Sequence, residues 1–351
     1  MFEIKYYSLK EISKLQKDWT CLQDGPDMTY FQRYEWNVNF AKFNGNVKGK
    51  NHEAFFAVVT NCGKVELIAP LWIVKNDFNH YKRGIYFLGR KSFSDYLNFI
   101  YDSFDADAVV FLLKDVSNRC KIYNCYFEEL PEQSKLYQFI KESKAIVSEE
   151  NSICVHINVK DSVDEFWGAF SKSARQNIRT ARNRAIKDNV SFVFSSEDKS
   201  LTWKEFDMFR TQRHIEKGYI DKLSFKVKLK NVIKQVFFSN RYFKFKNWTP
   251  YKSDKNSKFI SLRDGNGELC AAFNYGIDEK KRLIVVMAVC TNPKFYKYSP
   301  GILTMCYFIE EQIRDKKYDI IDFTRGNEPY KYLLGGEEHF NKILTVNVLD
   351  L

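Results

Sequence analysis

The sequence contains no apolar run approaching the ~20 residues that a bilayer-spanning helix requires. Its first residues do not read as a signal sequence: Met1-Phe-Glu-Ile-Lys-Tyr-Tyr is charged and aromatic where a secretory signal is basic and then apolar. Both absences predict a soluble chain in the cytoplasm. The eight cysteines are scattered, with only Cys120 and Cys125 close together. Cys62, Cys290 and Cys306 lie in or beside apolar segments, where reduced thiols pack, so disulfides are not expected. Histidine is scarce. His52, His80, His156, His214 and His339 show neither a paired metal spacing nor a cysteine partner set, and no metal is expected. No internal repeat is visible.

Positive charge is in excess. The formal net charge is +11 and the pI is near 9.0, which predicts an anionic partner without choosing among nucleic acid, membrane and phosphorylated metabolite. Lys172, Arg175, Arg179 and Arg182 follow three- and four-residue steps within a helical stretch, 171–187, and so share one face. Four cations on a stripe suit the phosphates of a nucleotide-sugar, a lipid-linked diphosphate sugar or a tRNA backbone. A solvated helix face accounts for the same stripe. Aromatics make up 17% of the chain, most of them expected in the core. At 237–246 they interleave with cations, a pattern that suits base stacking, sugar docking or a membrane surface, and equally a half-buried strand from Tyr242 onward.

A chain of 351 residues is long enough for two coupled domains. The N-terminal half reads as mixed α/β, with strands at 54–59, 64–74, 84–88, 108–113 and 121–127 and helices near 31–43 and 134–143. A polar stretch, 144–152, marks the boundary, giving domains 1–148 and 149–351, and a new strand follows at 153–159.

The most informative segment lies near the end. Residues 283–290 (Leu-Ile-Val-Val-Met-Ala-Val-Cys) form a β-branched apolar run of strand length. Tyr298-Ser299-Pro300-Gly301 then opens a helix: serine is a favoured N-cap, proline fits the first helical position, and glycine leaves the backbone accessible. Ile302, Met305, Cys306, Ile309 and Ile313 recur at helical intervals, and 318–323 is the next strand. This is a βαβ unit with a parallel, right-handed crossover. The N–H groups of Gly301, Ile302 and Leu303 have no partner within the helix, which makes an anion site fit for a pyrophosphate. An ordinary capped helix with no ligand has the same residues.

Tyr298-Ser-Pro-Gly301 at a helix start, followed by Asp322-Phe-Thr-Arg-Gly-Asn-Glu-Pro-Tyr-Lys331, resembles the acyltransferase family first associated with cellulose biosynthesis, a branch of the GNAT superfamily. Phe31-Gln-Arg-Tyr-Glu-Trp36, Ser94-Asp-Tyr-Leu97 and Ser173-Ala-Arg-Gln-Asn-Ile-Arg179 resemble the family's early aromatic helix, mid-domain loop and basic helix. The phosphate loop departs from standard GNAT enzymes: it carries Lys294, Lys297 and Ser-Pro-Gly in place of the usual arginine and glycine run. The resemblance implies tandem GNAT-like domains with mixed sheets flanked by helices, as in the peptidoglycan-bridge aminoacyltransferases. The N-terminal domain then serves the acceptor, and the C-terminal domain holds acetyl-CoA or another acyl-CoA.

In GNAT-type transfer an amine or hydroxyl attacks the thioester directly, so the site must orient both substrates, remove a proton and stabilise the oxyanion. Backbone N–H groups near Val289 and Cys290 are the oxyanion donors, and Lys297, Ser299, Gly301 and Ile302 are placed at the cofactor. Asp322, Glu328 and His214 are candidate bases, and Tyr330 or Ser299 can protonate the departing thiolate. Asp322 pairing with Arg325 is the structural alternative. Asp95, Tyr96, Arg175, Arg179, Arg325 and Lys331 are assigned to the acceptor. The resemblance implies N-acetylation of an amino sugar or a nucleotide- or lipid-linked sugar for a bacterial surface polysaccharide, and the cationic surface suits a place at the inner face of the membrane. The alternatives are aminoacyl transfer from a charged tRNA to a cell-wall precursor, and a non-catalytic module that binds polyanions; outside the tRNA reading no nucleic-acid partner is expected.

Overall fold

The computed structural model describes residues 1–42, 52–77, 81–89, 94–216 and 250–351. The chain forms two compact units. The first comprises Met1–Ile153, Trp248–Asp254 and His339–Leu351, and the second Cys154–Asn247 and Lys255–Glu338. Both are mixed α/β. Among the described residues the strands are β1 (Phe2–Tyr7), β2 (His52–Asn61), β3 (Lys64–Val74), β4 (Gly84–Phe87), β5 (Asn124–Pro131), β6 (Ile146–Asn158), β7 (Phe192–Ser195), β8 (Lys258–Asp264), β9 (Leu269–Asp278), β10 (Leu283–Thr291), β11 (Ile320–Arg325) and β12 (Glu337–Asn347).

In the first unit the strand order is β1-β2-β3-β4-β5-β12-β6. The β-branched and aromatic run of β3 is buried along most of its length, because helices cover the sheet and leave little of it to water. Helix Ala106–Cys120 supplies Val109, Leu112, Leu113 and Val116 to that core. The sequence pattern makes 108–113 a strand, and here the structure differs. The Asp105 side chain accepts the Ala108 N–H at 3.1 Å and starts a helix, which the three- and four-residue spacing carries past the β-branched pair Val109-Val110. Residues expected in one helix near 31–43 are also divided. Thr29 and Gln32 close a capping box around the short turn Tyr30–Gln32, Arg33 is extended, and the helix proper is Tyr34–Phe40.

The polar boundary stretch 144–152 is no linker. Most of it is the first half of β6, whose side chains are mostly exposed and which is held by pairing beside β12 rather than by burial. The strand begins in the first unit and ends in the second, where Cys154 to Asn158 pair with β11. His339–Leu351, which the boundary at 148 assigns to the second domain, packs in the first.

In the second unit the order is β6-β11-β10-β9-β8-β7. Parallel β10 and β11 are joined through helix Pro300–Asp315, which buries Leu303, Met305, Cys306, Ile309 and Ile313 in the core. The helix Lys172–Lys187, capped by Ser171, turns Ala174, Ile178, Ala181 and Ala185 inward. The cation-interleaved segment 237–246 lies outside the described residues. Among the described residues no helix is long and apolar enough to cross a membrane.

Candidate active site

The second unit's site starts from a defect in its sheet. β10 and β11 pair only from Leu283–Ile320 to Val285–Asp322, and beyond that point no pairing continues. A bulge between Val286 and Ala288 disturbs the β9 register on the other side, and the Thr324 hydroxyl donates to the Val286 carbonyl at 3.3 Å. The strands therefore splay and leave a cleft at their carboxyl ends, where ligands sit in sheets of this kind. Asn292 N–H donates to the Cys270 carbonyl at 2.9 Å. Alternation along an antiparallel strand turns the Cys290 amide toward β9 as well, and the Val289 amide to the splayed side.

A cavity of about 440 Å³ opens at this splay. Val289, Ser299, Gly301, Ile302 and Tyr330 line it, all candidates from the sequence, with Pro300 of the Ser-Pro-Gly turn, and together with Phe273, Thr291, Tyr296 and Arg213, which the sequence reading passed over. Its walls are mainly apolar. Ser299 does not cap through its side chain as expected. Its backbone is left-handed (φ 50°), its carbonyl accepts the Leu303 N–H at 3.1 Å, and no side-chain cap bond forms. Helix N-termini carry donors with no internal partner, and with Pro300 at the first position those nearest the cavity belong to Gly301 and Ile302. A Cβ on Gly301 would meet only the Thr291 hydroxyl, at 3.6 Å.

Tyr330 enters the cavity from helix Pro329–Leu333. Burial, helped by the nearby Glu328 charge, pushes its phenol upward, with Arg213 pulling the other way. The hydroxyl therefore keeps its proton at neutral pH.

Other candidates have different surroundings. Asp322 is 7% exposed, and its carboxylate accepts the Thr324 N–H at 2.6 Å, which shapes a left-handed Thr324 (φ 55°). Glu328 pairs with Lys331 at 3.0 Å. Lys331, placed by the sequence at the acceptor, is buried instead, and its ammonium donates to the carbonyls of Thr324, Arg325 and Gly326. Arg325 ends β11, half-buried, and is not among the residues lining the cavity. Lys297 is exposed and bound to Asp188 at 2.6 Å. Cys290 is fully buried against Leu201 and Phe206, and burial lifts its thiol to about 12. His214 lies on helix Trp203–Glu216, with its side chain outside the described residues.

The basic stripe divides. Arg175 donates to the carbonyls of Trp167 and Gly168, and Arg182 lies over the rings of Trp167 and Tyr307. Lys172 and Arg179 are exposed, with no polar partner among the described residues.

In the first unit the two motif segments meet. The Trp36 indole donates to the Ser94 hydroxyl at 2.8 Å, and the Gln32 amide donates to the Tyr96 carbonyl at 2.6 Å. Tyr96 is buried in a left-handed conformation, and its hydroxyl lies 3.0 Å from His339 Nε2, with the two rings stacked. Asp95 is half-buried beside it. Among the described residues no group of three or more His, Cys, Asp and Glu side chains gathers as a metal site needs.

Comparison with known proteins adds to this geometry. Residues 250–332 match the family model described as an acetyltransferase (GNAT) domain. No curated protein matches the sequence. Among solved structures, the chain is similar to FemX (TM-score 0.54, 12% identity, covering 99% of this chain and 98% of that one). It is also similar to a tandem GNAT protein from the clavulanic acid biosynthesis pathway (TM-score 0.53, 10% identity, covering 99% of each chain). At such identities the likeness is one of fold. The chain thus has the fold of tandem GNAT proteins and carries a GNAT acetyltransferase domain, the domain of an acyltransferase.

Proposed function

We propose that the protein transfers an acyl group, acetyl in the simplest case, from coenzyme A to the amine of an amino sugar or of a nucleotide- or lipid-linked sugar used in a bacterial surface polysaccharide. One observation carries the donor half: the splay of β10 and β11 opens into an apolar cavity at the Gly301 helix start, with Tyr330 in its wall. The amides of Gly301 and Ile302 suit the pyrophosphate, and Phe273, Val289 and Ile302 suit the pantetheine arm. The acceptor half rests on the motif resemblance, and a place at the inner face of the membrane rests on the excess of positive charge.

In this reading the amine nitrogen attacks the thioester carbon, and the Val289 amide meets the developing oxyanion. The C–N bond forms, the C–S bond breaks, and Tyr330 gives its proton to the departing sulfur. The amine proton passes to a base. Glu328 is engaged by Lys331, which leaves Asp322 and His214 as the bases to test first.

Aminoacyl transfer from a charged tRNA is the second reading. The fold likeness to FemX fits it, and so do the exposed cations Lys172 and Arg179. Calorimetric titration with acetyl-CoA, free coenzyme A and bulk tRNA separates the two. Micromolar coenzyme A binding supports the first. Salt-sensitive tRNA binding without coenzyme A binding, weakened in a Lys172→Ala, Arg179→Ala double variant, puts the second in its place.

A further inference from the structure

Arg213 is the one charged residue among the described residues lining the donor cavity. It comes from helix Trp203–Glu216, is half-buried, and has no hydrogen bond or ion pair among the described residues. Other arginines of the unit have contacts, and of these Arg182 keeps a buried Nε with no hydrogen-bond partner. Arg263 is held by Asp198 at 2.9 Å and Glu205 at 3.0 Å, Arg175 reaches two carbonyls, and Arg182 covers two aromatic rings. A guanidinium on the wall of an apolar cavity, with no partner among the described residues, is available to a ligand of matching charge.

The position narrows the ligand. In the acyl-CoA reading the pyrophosphate takes the helix start at Gly301 and Ile302, whereas Arg213 shares the cavity wall with Tyr330, the proton donor to the departing sulfur in the proposed reaction, and its charge acts on that phenol. The charge it awaits therefore belongs beside the reacting thioester. Guanidinium is a planar fork that matches a carboxylate through two parallel hydrogen bonds.

We infer that Arg213 recognises a carboxylate next to the scissile thioester, so that the enzyme is selective for an amine acceptor bearing a carboxylate or for a dicarboxylic acyl group. The inference rests on the acyl-CoA reading. Arg213 takes no proton and moves no electrons; it selects and aligns.

The test compares wild type with Arg213→Gln and Arg213→Lys. Coenzyme A affinity is measured first by calorimetry. Thiol release is then followed with succinyl-CoA against butyryl-CoA, and with acetyl-CoA plus amino acids and amino-sugar acids against their amides. The first pair reports a carboxylate on the donor and the second a carboxylate on the acceptor. The expected result is a preference for the charged member in one arm, reduced about ten- to a hundredfold in Arg213→Gln and partly kept in Arg213→Lys, while coenzyme A affinity stays within about twofold. Two results overturn the inference alone: no charge preference in either arm of a wild type that binds coenzyme A, or an equal weakening of coenzyme A itself in Arg213→Gln, which would make the residue a phosphate ligand. Failure of the wild type to bind coenzyme A overturns the acyl-CoA reading, and this inference with it.

Discussion

Lys331 holds Gly326: the ammonium of a side chain with almost no solvent exposure lies 2.8 Å from the Gly326 carbonyl oxygen, with the Arg325 carbonyl at 2.9 Å and the Glu328 carboxylate at 3.0 Å. The three hydrogen bonds of this ammonium go to the carbonyls of Thr324, Arg325 and Gly326, so they are spent where β11 gives way to the loop that leads to Tyr330. Replacing it by methionine orphans buried carbonyls and one carboxylate, at an expected cost of about 3 kcal/mol. Urea unfolding measures that cost, and a loss below about 0.5 kcal/mol would remove Lys331 from its role as the loop's clamp.

Gly301 separates sterics from charge. Gly301→Ala meets only ordinary contact with Thr291 and is expected to leave coenzyme A affinity within about threefold, or about 0.7 kcal/mol. Gly301→Asp sets a negative charge against the pyrophosphate and is expected to weaken binding at least about thirtyfold with the melting temperature unchanged. Equal affinities for the two variants would move the phosphate seat away from this helix.

Tyr330→Phe keeps the ring and removes the proton. The expected effect is a fall in kcat of about a hundredfold with little change in the KM for acyl-CoA. Because burial raises the phenol above its ordinary value of 10, wild-type activity should not fall through ionisation of Tyr330 as pH rises from 7 to about 9. An unchanged kcat in the variant would assign the proton to another group.

Asp198 is expected to contribute to acid sensitivity in the second unit. Burial opposes its charge, but hydrogen bonds from Ser200, Ser261 and Arg263 outweigh that and hold the carboxyl at about 2 against an ordinary 3.8. A carboxyl depressed on folding stabilises the folded state fully above its unfolded value, and that contribution disappears as pH falls through the folded one. Stability owed to Asp198 is therefore complete above about pH 5 and drains away between roughly pH 4 and pH 2. Asp198→Asn should lower stability at pH 7 and flatten the curve over that acid window, as unfolding series at pH 7, 4 and 3 would show. A variant that keeps the wild-type slope would place the sensitivity elsewhere.

The parts of the site that the sequence showed are those written in local patterns. Helix Pro300–Asp315 announces itself by its apolar spacing, β10 by its β-branched run, and the Gly301 turn by Ser-Pro-Gly. Arg213 has no such mark. On a helix rich in charge it looks like one more solvated cation, and only its place on the wall of the cavity at the splayed strands sets it apart. Lys331 was misplaced for the opposite reason: beside Pro329 and Tyr330 it reads as a surface residue, and its burial depends on a loop folding back onto it. Helix Ala106–Cys120 hid behind a Val-Val-Phe-Leu-Leu run that fits either period, and β6 behind a polar sequence held by its neighbours rather than by a core.

The strand order β5-β12-β6 in the first unit bears on how the protein is made. The residues that cover the β5 edge, from His339 onward, follow the whole of the second unit in sequence. While the ribosome is still producing the second unit, the first waits with an unpaired strand edge, the feature of a sheet most prone to recruit foreign strands. A fragment cut at residue 148 would carry the same open edge permanently. Expression of either half alone is therefore a poor route to its properties, because the strand that closes the first unit lies beyond the second in sequence.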